Sequence, residues 1–108
     1  MTTGQQKALD DYWPRWGLEF DGQPLDMAAT FGRDGPVVLE IGFGMGDSLL
    51  QMAAAEPGAN FIGIEVHRPG VGRLLHEMAT ARVDNIRVYC HDAVEVLRDS
   101  IDGCLLYT

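Results

Sequence analysis

The chain has 108 residues, of which 46% are hydrophobic and 22% are charged, and its net charge is −8. This length supports one small domain, and the composition is that of a folded globular protein rather than a disordered one. No apolar run is long enough to cross a membrane, and the N-terminus lacks the basic and apolar regions of a signal peptide. We therefore expect a cytoplasmic protein without a membrane partner.

Cysteine and histidine are too few and too scattered for a disulfide framework or a metal site. Cys90 and Cys104 form no C-x-x-C pair, and the three histidines are far apart. The acidic balance argues against nucleic-acid binding by this segment alone, because phosphate contacts need Lys and Arg. We expect no metal, and any RNA-binding surface should lie mostly outside these residues.

The N-terminal segment, residues 1–35, has a mixed helical and irregular pattern. A short helix is predicted over residues 5–12, ending before Pro14 because proline disrupts a continuing helix. A second helix is predicted over residues 25–31. Neither pattern reveals a function by itself.

From residue 36 onward, short apolar strands alternate with helices. Strands are predicted over residues 37–41, 61–66, 86–90 and 103–108. Between them we expect a helix capped by Asp47 or Ser48, a helix with an apolar stripe over residues 71–78, and a short helix over residues 93–98. The alternation predicts an α/β fold, the first half of a doubly wound parallel sheet. Residues 36–108 would form this half-domain, truncated at its fourth strand.

A glycine-rich loop follows the first of these strands, with Gly42, Gly44 and Gly46 at every second position. Glycines let the chain turn sharply and approach a ligand closely, and the following helix begins with free N–H groups. The dinucleotide fingerprint would place its last glycine at position 47. Here Asp47 stands there, and its charge is unfavourable for a pyrophosphate. The alternative is a tight turn without a ligand.

Glu40 lies two residues before the first glycine, inside the apolar strand. A buried carboxylate is costly without a partner, and a ligand ammonium group such as that of a methionine moiety would supply one. The alternative is that Glu40 accepts hydrogen bonds from local backbone N–H groups.

Two further acidic positions follow the next two predicted strands. Glu65 comes nineteen residues after Gly46, where a carboxylate is placed to bind ribose hydroxyls; the alternative is a solvent-facing side chain. Asp92, with Ala93 beside it, is placed to contact an adenine, although Asp92 and Glu95 also fit a helix capping box. Together with Glu40, these acidic residues favour S-adenosylmethionine over a nicotinamide cofactor.

Three sequence runs closely resemble bacterial tRNA (guanine-N7)-methyltransferases: residues 39–46 (LEIGFGMG), 63–72 (GIEVHRPGVG) and 90–97 (CHDAVEVL). The resemblance covers roughly residues 1–100, and the EVHRPGVG run is its most particular part. It implies a Rossmann-like class I methyltransferase fold, with S-adenosylmethionine contacted by Glu40, Glu65 and Asp92. It also implies methyl transfer to N7 of a guanosine in the tRNA variable loop. No role is assigned to residues 67–72.

The resemblance further implies residues that the sequence does not contain. A Pro-Asp-Pro-Trp type motif with a nearby lysine would supply the substrate-side acid and part of the tRNA contact beyond Thr108. We therefore assign no catalytic residue and expect an inactive fragment that retains the cofactor site, with an exposed strand edge that favours self-association. The alternatives are a nicotinamide-dependent oxidoreductase half-domain and a non-catalytic nucleotide-binding module.

Overall fold

The computed structural model describes residues 1–101 and the backbone of a final strand at 106–107. The helices are α1 (Thr3–Trp16), α2 (Met27–Phe31), α3 (Asp47–Ala55), α4 (Arg68–Ala81) and α5 (Ala93–Asp99). The strands are β1 (Gly17–Leu18), β2 (Val37–Ile41), β3 (Asn60–Ile64), β4 (Ile86–Tyr89) and β5 (Leu106–Tyr107).

The strands form one parallel sheet in the order β1-β4-β3-β2-β5. Leu39 of β2 lies opposite Ile62 of β3, and Val38 lies opposite Leu106 of β5. The predicted α/β fold with a parallel sheet is confirmed. The four predicted strands correspond to β2, β3, β4 and β5, and β5 pairs with β2. Residues 102–105 and 108, which the last predicted strand also included, lie outside the described residues.

Strand β1 was not predicted. Gly17 and Leu18 pair in parallel with Val88 and Tyr89. Two residues are too short to show the alternation that identifies a strand in a sequence. Through this pairing the N-terminal segment contributes one outer strand to the sheet.

Helix α1 extends through Pro14, so the prediction that it ends before this proline was wrong. Proline lacks one N–H donor, which costs a hydrogen bond, but it stands only two residues before the end of the helix. Trp16 is only 3% exposed and its ring stacks on Tyr12, with the ring centroids 5.4 Å apart. Burial of this indole accounts for the additional turn.

Helix α2 begins two residues later than predicted. Asp26 is its N-cap, and the carboxylate accepts a hydrogen bond from the backbone N–H of Ala29 at 3.1 Å. An N-cap residue has non-helical backbone angles, so the helix starts only after it.

The hydrophobic core lies on both faces of the sheet. On one face, α1, α3 and α4 cover Phe61, Ile86 and Val88. On the other, α2 and α5 pack near Leu39, Ile62 and Tyr89. The predicted apolar stripe of α4 is confirmed, because its four residues are fully buried: Val71, Leu74, Leu75 and Met78. None of the described helices is long and apolar enough to cross a membrane.

Candidate functional site

The carboxyl ends of β2, β3 and β4 meet at one edge of the sheet, as they must in a parallel arrangement. The glycine loop follows β2, Glu65 follows β3, and Asp92 and Ala93 lie after β4. A hydrogen bond joins Glu65 to the glycine loop. Among the described residues, no hydrogen bond joins Asp92 or Ala93 to Glu40, Glu65 or the loop. The predicted residues therefore share one edge but only some of them touch.

The three loop glycines adopt left-handed backbone angles, with φ of 67° at Gly42, 63° at Gly44 and 88° at Gly46. A Cβ atom added at Gly42 or Gly44 would meet nothing within 4 Å, whereas one at Gly46 would lie 2.9 Å from Leu74 of α4. The first two glycines thus leave open space beside the backbone. The third allows the loop to pack against the core.

Glu65 holds the glycine loop in place instead of facing solvent. Its Oε1 atom accepts a hydrogen bond from Gly44 N at 2.7 Å, and Oε2 accepts from Val66 N and His67 N at 2.8 and 3.1 Å. Burial raises the pKa of Glu65, but the three N–H donors outweigh burial and hold the pKa below its ordinary value. A carboxylate has about four acceptor positions, so room for one more donor remains.

Glu40 is the opposite case. Its Oε2 atom is buried and has no hydrogen-bond partner among the described residues. Burial raises the pKa of this carboxyl above its ordinary value. The alternative that local backbone N–H groups satisfy this oxygen is therefore wrong. The site thus contains a buried acceptor to which no described part of the chain donates a hydrogen bond.

Asp92 caps helix α5, as predicted, but the capping box with Glu95 does not form. The Asp92 carboxylate accepts from Val94 N at 2.9 Å. Glu95 instead contacts His91 Nε2 at 2.7 Å, and the His91 ring stacks on Phe20 with centroids 4.1 Å apart. Because this contact with His91 draws Glu95 away, the cap of α5 depends on Asp92 alone.

An arginine that sequence reasoning missed fixes the far end of the glycine loop. Arg73 of α4 donates to Asp47 Oδ1 at 2.5 Å and to Met45 O at 3.2 Å. The N-cap of α3 is Gly46, without a side-chain cap, so the prediction of Asp47 or Ser48 was wrong. Arg73 offsets the charge of Asp47, which weakens the charge argument against a pyrophosphate. The sequence could not predict this contact, because Arg73 and Asp47 are 26 positions apart.

The run 67–72, to which the sequence assigned no role, brings α4 against two backbone segments. A Cβ atom at Gly70 would lie 2.0 Å from Gly44 O, and one at Gly72 would lie 2.6 Å from Gln5 O. Helix α4 therefore contacts the glycine loop and α1 at its first two turns. Only glycine permits such close approach of backbones.

Exposed apolar side chains line the same edge of the sheet. Ile41 ends β2 and is 42% exposed, Val66 follows β3 at 66%, and Val94 stands at the start of α5 at 67%. Sequence reasoning did not identify these residues. Together they leave apolar surface exposed to solvent at this edge.

Comparisons with known proteins agree with this architecture. Residues 34–106 match the model of the family described as "Putative methyltransferase". The chain is 61% identical over 106 residues to the tRNA (guanine-N(7)-)-methyltransferase of Sodalis glossinidius, and 58% identical to that of Serratia proteamaculans. These matches cover 98% and 97% of this chain, which spans only 44% of the length of each relative.

Among solved structures, coclaurine N-methyltransferase bound to N-methylheliamine and SAH has a TM-score of 0.52 and 18% identity. The match covers 85% of this chain and 30% of that protein, and it shows a shared fold. The resemblance inferred from the three sequence runs is confirmed by the curated relatives. The chain belongs to the methyltransferase family whose model matches residues 34–106.

Proposed function

We propose that this chain is the cofactor-binding part of a tRNA (guanine-N7)-methyltransferase, which transfers a methyl group from S-adenosylmethionine to N7 of a guanosine in the tRNA variable loop. Family membership and relatives of about 60% identity support the assignment. The relatives are more than twice as long as this chain. We assign the basic tRNA surface and the substrate-side residues to the sequence that this chain does not span, and we place the protein in the cytoplasm with its tRNA.

The unsatisfied Oε2 atom of Glu40 carries the proposal. A buried carboxylate oxygen without a donor is unfavourable, and an ammonium group would convert it into a charge-assisted hydrogen bond. The methionine moiety of the cofactor has such a group. The open space beside Gly42 and Gly44 would admit it next to the backbone.

The remaining predicted residues suit the nucleoside part of the same cofactor. Glu65 retains capacity for a hydrogen bond from a ribose hydroxyl. Ile41, Val66 and Val94 offer apolar contact to the adenine ring. The side chain of Asp92 is committed to its cap, so its contribution with Ala93 would come from the backbone.

The reaction requires little acid–base catalysis from this part of the protein. When bound, S-adenosylmethionine supplies a methyl group on a sulfonium. Guanine N7 has a free lone pair at neutral pH, so no side chain has to remove a proton before attack. The task of Glu40, Glu65 and the glycine loop is to orient the cofactor, and orientation of reactants is worth several kcal/mol.

The alternative functions are those of a nicotinamide-dependent oxidoreductase half-domain and of a non-catalytic nucleotide-binding module. Nothing in the comparisons supports a nicotinamide-dependent oxidoreductase, and the carboxylate of Glu40 disfavours a phosphate near the loop. A non-catalytic nucleotide-binding module would share the fold, and methyl transfer by the full-length protein separates it from the enzyme.

The test is calorimetric titration of the folded chain with S-adenosylhomocysteine, which keeps the ammonium group and the ribose. We expect saturable binding that Glu40→Gln weakens by about tenfold or more, because hydrogen bonds to charged groups contribute about 1.5–3 kcal/mol. Glu56→Gln is the matched control, since this exposed residue lies at the far end of α3. Equal affinity for the wild type and Glu40→Gln, or binding of NADH instead, would overturn the proposal.

A further inference from the structure

The segment that follows β1 continues beside the segment that follows β4. The last pair in the register of these two strands is Leu18 and Tyr89. Two residues further along both segments, the Phe20 ring stacks on the His91 ring, with centroids 4.1 Å apart and an angle of 14° between the ring planes. The parallel course of the two segments therefore extends past the ends of the strands. It brings the N-terminal part of the chain to the edge of the sheet that holds the candidate site.

The His91 ring is also held from a second direction, by helix α5. A hydrogen bond of 2.7 Å joins His91 Nε2 and Glu95 Oε1. The side chains of His91 and Glu95 are 33% and 43% exposed, so burial alone does not fix them. Stacked aromatic rings attract each other more strongly than their buried area accounts for. With Phe20 against its face and Glu95 at its edge, the His91 ring is fixed in one orientation.

Phe20 is itself anchored to the hydrophobic core. Together with Ala93, it packs against the buried cluster that contains Tyr89 and Val96. Phe20 and His91 therefore connect three parts of the fold: the segment after β1, the end of β4 and the first turn of α5. His91 stands at the centre of this connection and directly precedes Asp92.

We propose that Phe20 is a positioning residue for recognition of the adenine base of the cofactor, and that it acts through His91. The inference rests on the proposed function, which places Asp92 and Ala93 at the nucleoside. Because His91 is the residue before this pair, a fixed His91 side chain restricts the backbone of residues 91–93. A segment held in one conformation before binding needs no ordering when the ligand arrives, and it is complementary to one base.

This role makes selectivity for the base, rather than affinity alone, depend on Phe20. When the stacked ring is removed, residues 91–93 sample more conformations and can adjust to a changed base. The methionine end of the ligand, which we assign to Glu40, stays as it was. The ratio of the affinities for two ligands that differ only in the base therefore isolates the contribution of Phe20.

The test is calorimetric titration with S-adenosylhomocysteine and with S-inosylhomocysteine, in which an oxygen atom replaces the amino group of the base. For the wild type we expect a preference of about tenfold for S-adenosylhomocysteine, which corresponds to roughly one hydrogen bond. Phe20→Leu should reduce the preference to about twofold, because it removes the stacking ring. Phe20→Tyr keeps the ring and should retain the wild-type preference.

The matched control is Phe31→Leu. Phe31 packs against the same buried cluster as Phe20, but its ring lies beside Arg87 at the start of β4. This variant loses the same core volume and should keep the wild-type preference. Glu40→Gln should weaken the binding of both ligands by the same factor, so that their ratio does not change.

Glu95→Ala tests the other contact of His91 and should also lower the preference. Since Glu95 is partly exposed, this replacement removes little core volume, and it decides the inference if Phe20→Leu does not fold. An unchanged preference in Phe20→Leu, an equal decrease in Phe31→Leu, a failure of Phe20→Tyr to retain the preference, or equal binding of both ligands by the wild type would each overturn the inference and leave the proposed function intact. If S-adenosylhomocysteine does not bind the folded wild type, the proposed function fails and this inference fails with it.

Discussion

At the scale of single residues, the site sets two glutamates in opposite states. Glu65 accepts three backbone N–H groups, while Glu40 has a buried oxygen to which none of the residues that the structure describes donates. The first arrangement favours the charged form of the carboxyl and the second favours the neutral form. The same residue type thus stabilises the glycine loop at one position and leaves an acceptor available to a ligand at the other.

This contrast predicts opposite pH dependences of stability. The raised pKa of Glu40 means that its contribution is present below the ordinary value of 4.5 and is lost as the pH rises through the folded-state pKa. The lowered pKa of Glu65 means that its contribution is present above 4.5 and is lost as the pH falls through the folded-state pKa. Urea unfolding of the wild type, Glu40→Gln and Glu65→Gln at several pH values measures both effects.

We expect the free-energy difference between the wild type and each variant to change with pH in opposite directions. Each variant serves as the control for the other. An overall effect of low pH on the stability of the protein would change both differences in the same direction. Two differences that change in the same direction, or that stay constant with pH, would contradict the account of the two carboxyls.

The sequence favoured a ligand partner for Glu40, because a lone carboxylate lies within an apolar strand, but it left local backbone N–H donors open as the alternative. The Arg73–Asp47 pair was not foreseeable, because the two residues are 26 positions apart and only the packing of α4 on the loop brings them together. Charge patterns in a sequence predict ion pairs between residues three or four apart on one helix, whereas the Arg73–Asp47 pair joins two helices.

At the scale of elements, α4 connects the glycine loop to α1 through Gly70 and Gly72. Alanine is intrinsically favoured over glycine in a helix by about 1 kcal/mol, but here its methyl group would displace backbone atoms. We expect Gly70→Ala to weaken S-adenosylhomocysteine binding about tenfold by shifting Gly44. We expect Gly72→Ala to lower the free energy of unfolding by about 1–3 kcal/mol through α1, as overpacking typically does.

Gly4→Ala is the control for both variants, because Gly4 lies in α1 and an added Cβ atom would meet only Thr2 Oγ1 at 3.9 Å. It should leave binding unchanged and should not destabilise the chain. Calorimetric titration and urea unfolding measure the two effects. If all three alanine variants behaved alike, the close contacts of α4 would not be what positions the loop.

Element prediction succeeded where apolar runs are continuous, as in β2 and β3, and for the buried stripe of α4. It failed at the start of the chain, where α1 continues through Pro14 and β1 has two residues. In both cases tertiary burial of Trp16 and pairing with β4 decide the structure. Local sequence preferences do not contain that information.

At the scale of the whole molecule, β5 is an outer strand of the sheet. An outer parallel strand presents unpaired backbone groups that can pair with another chain. The net charge of −8 opposes such pairing by repulsion, and salt screens that repulsion. We expect the weight-average mass in sedimentation velocity to increase with protein concentration, and more strongly at about 0.5 M salt than at low salt. A single monomeric species under all these conditions would show that this edge does not self-associate.

The pairing of β1 with β4 also has a consequence for synthesis. Gly17 pairs with Val88, which is translated roughly 70 residues later, so β1 has no strand partner until then. At about 5–20 residues per second, that interval is roughly 4 to 14 seconds on the ribosome. Throughout it Trp16 lacks its final surroundings, because the strand beside it has not been translated. The N-terminal segment is therefore made before β4 but reaches its native contacts only after β4 has been translated.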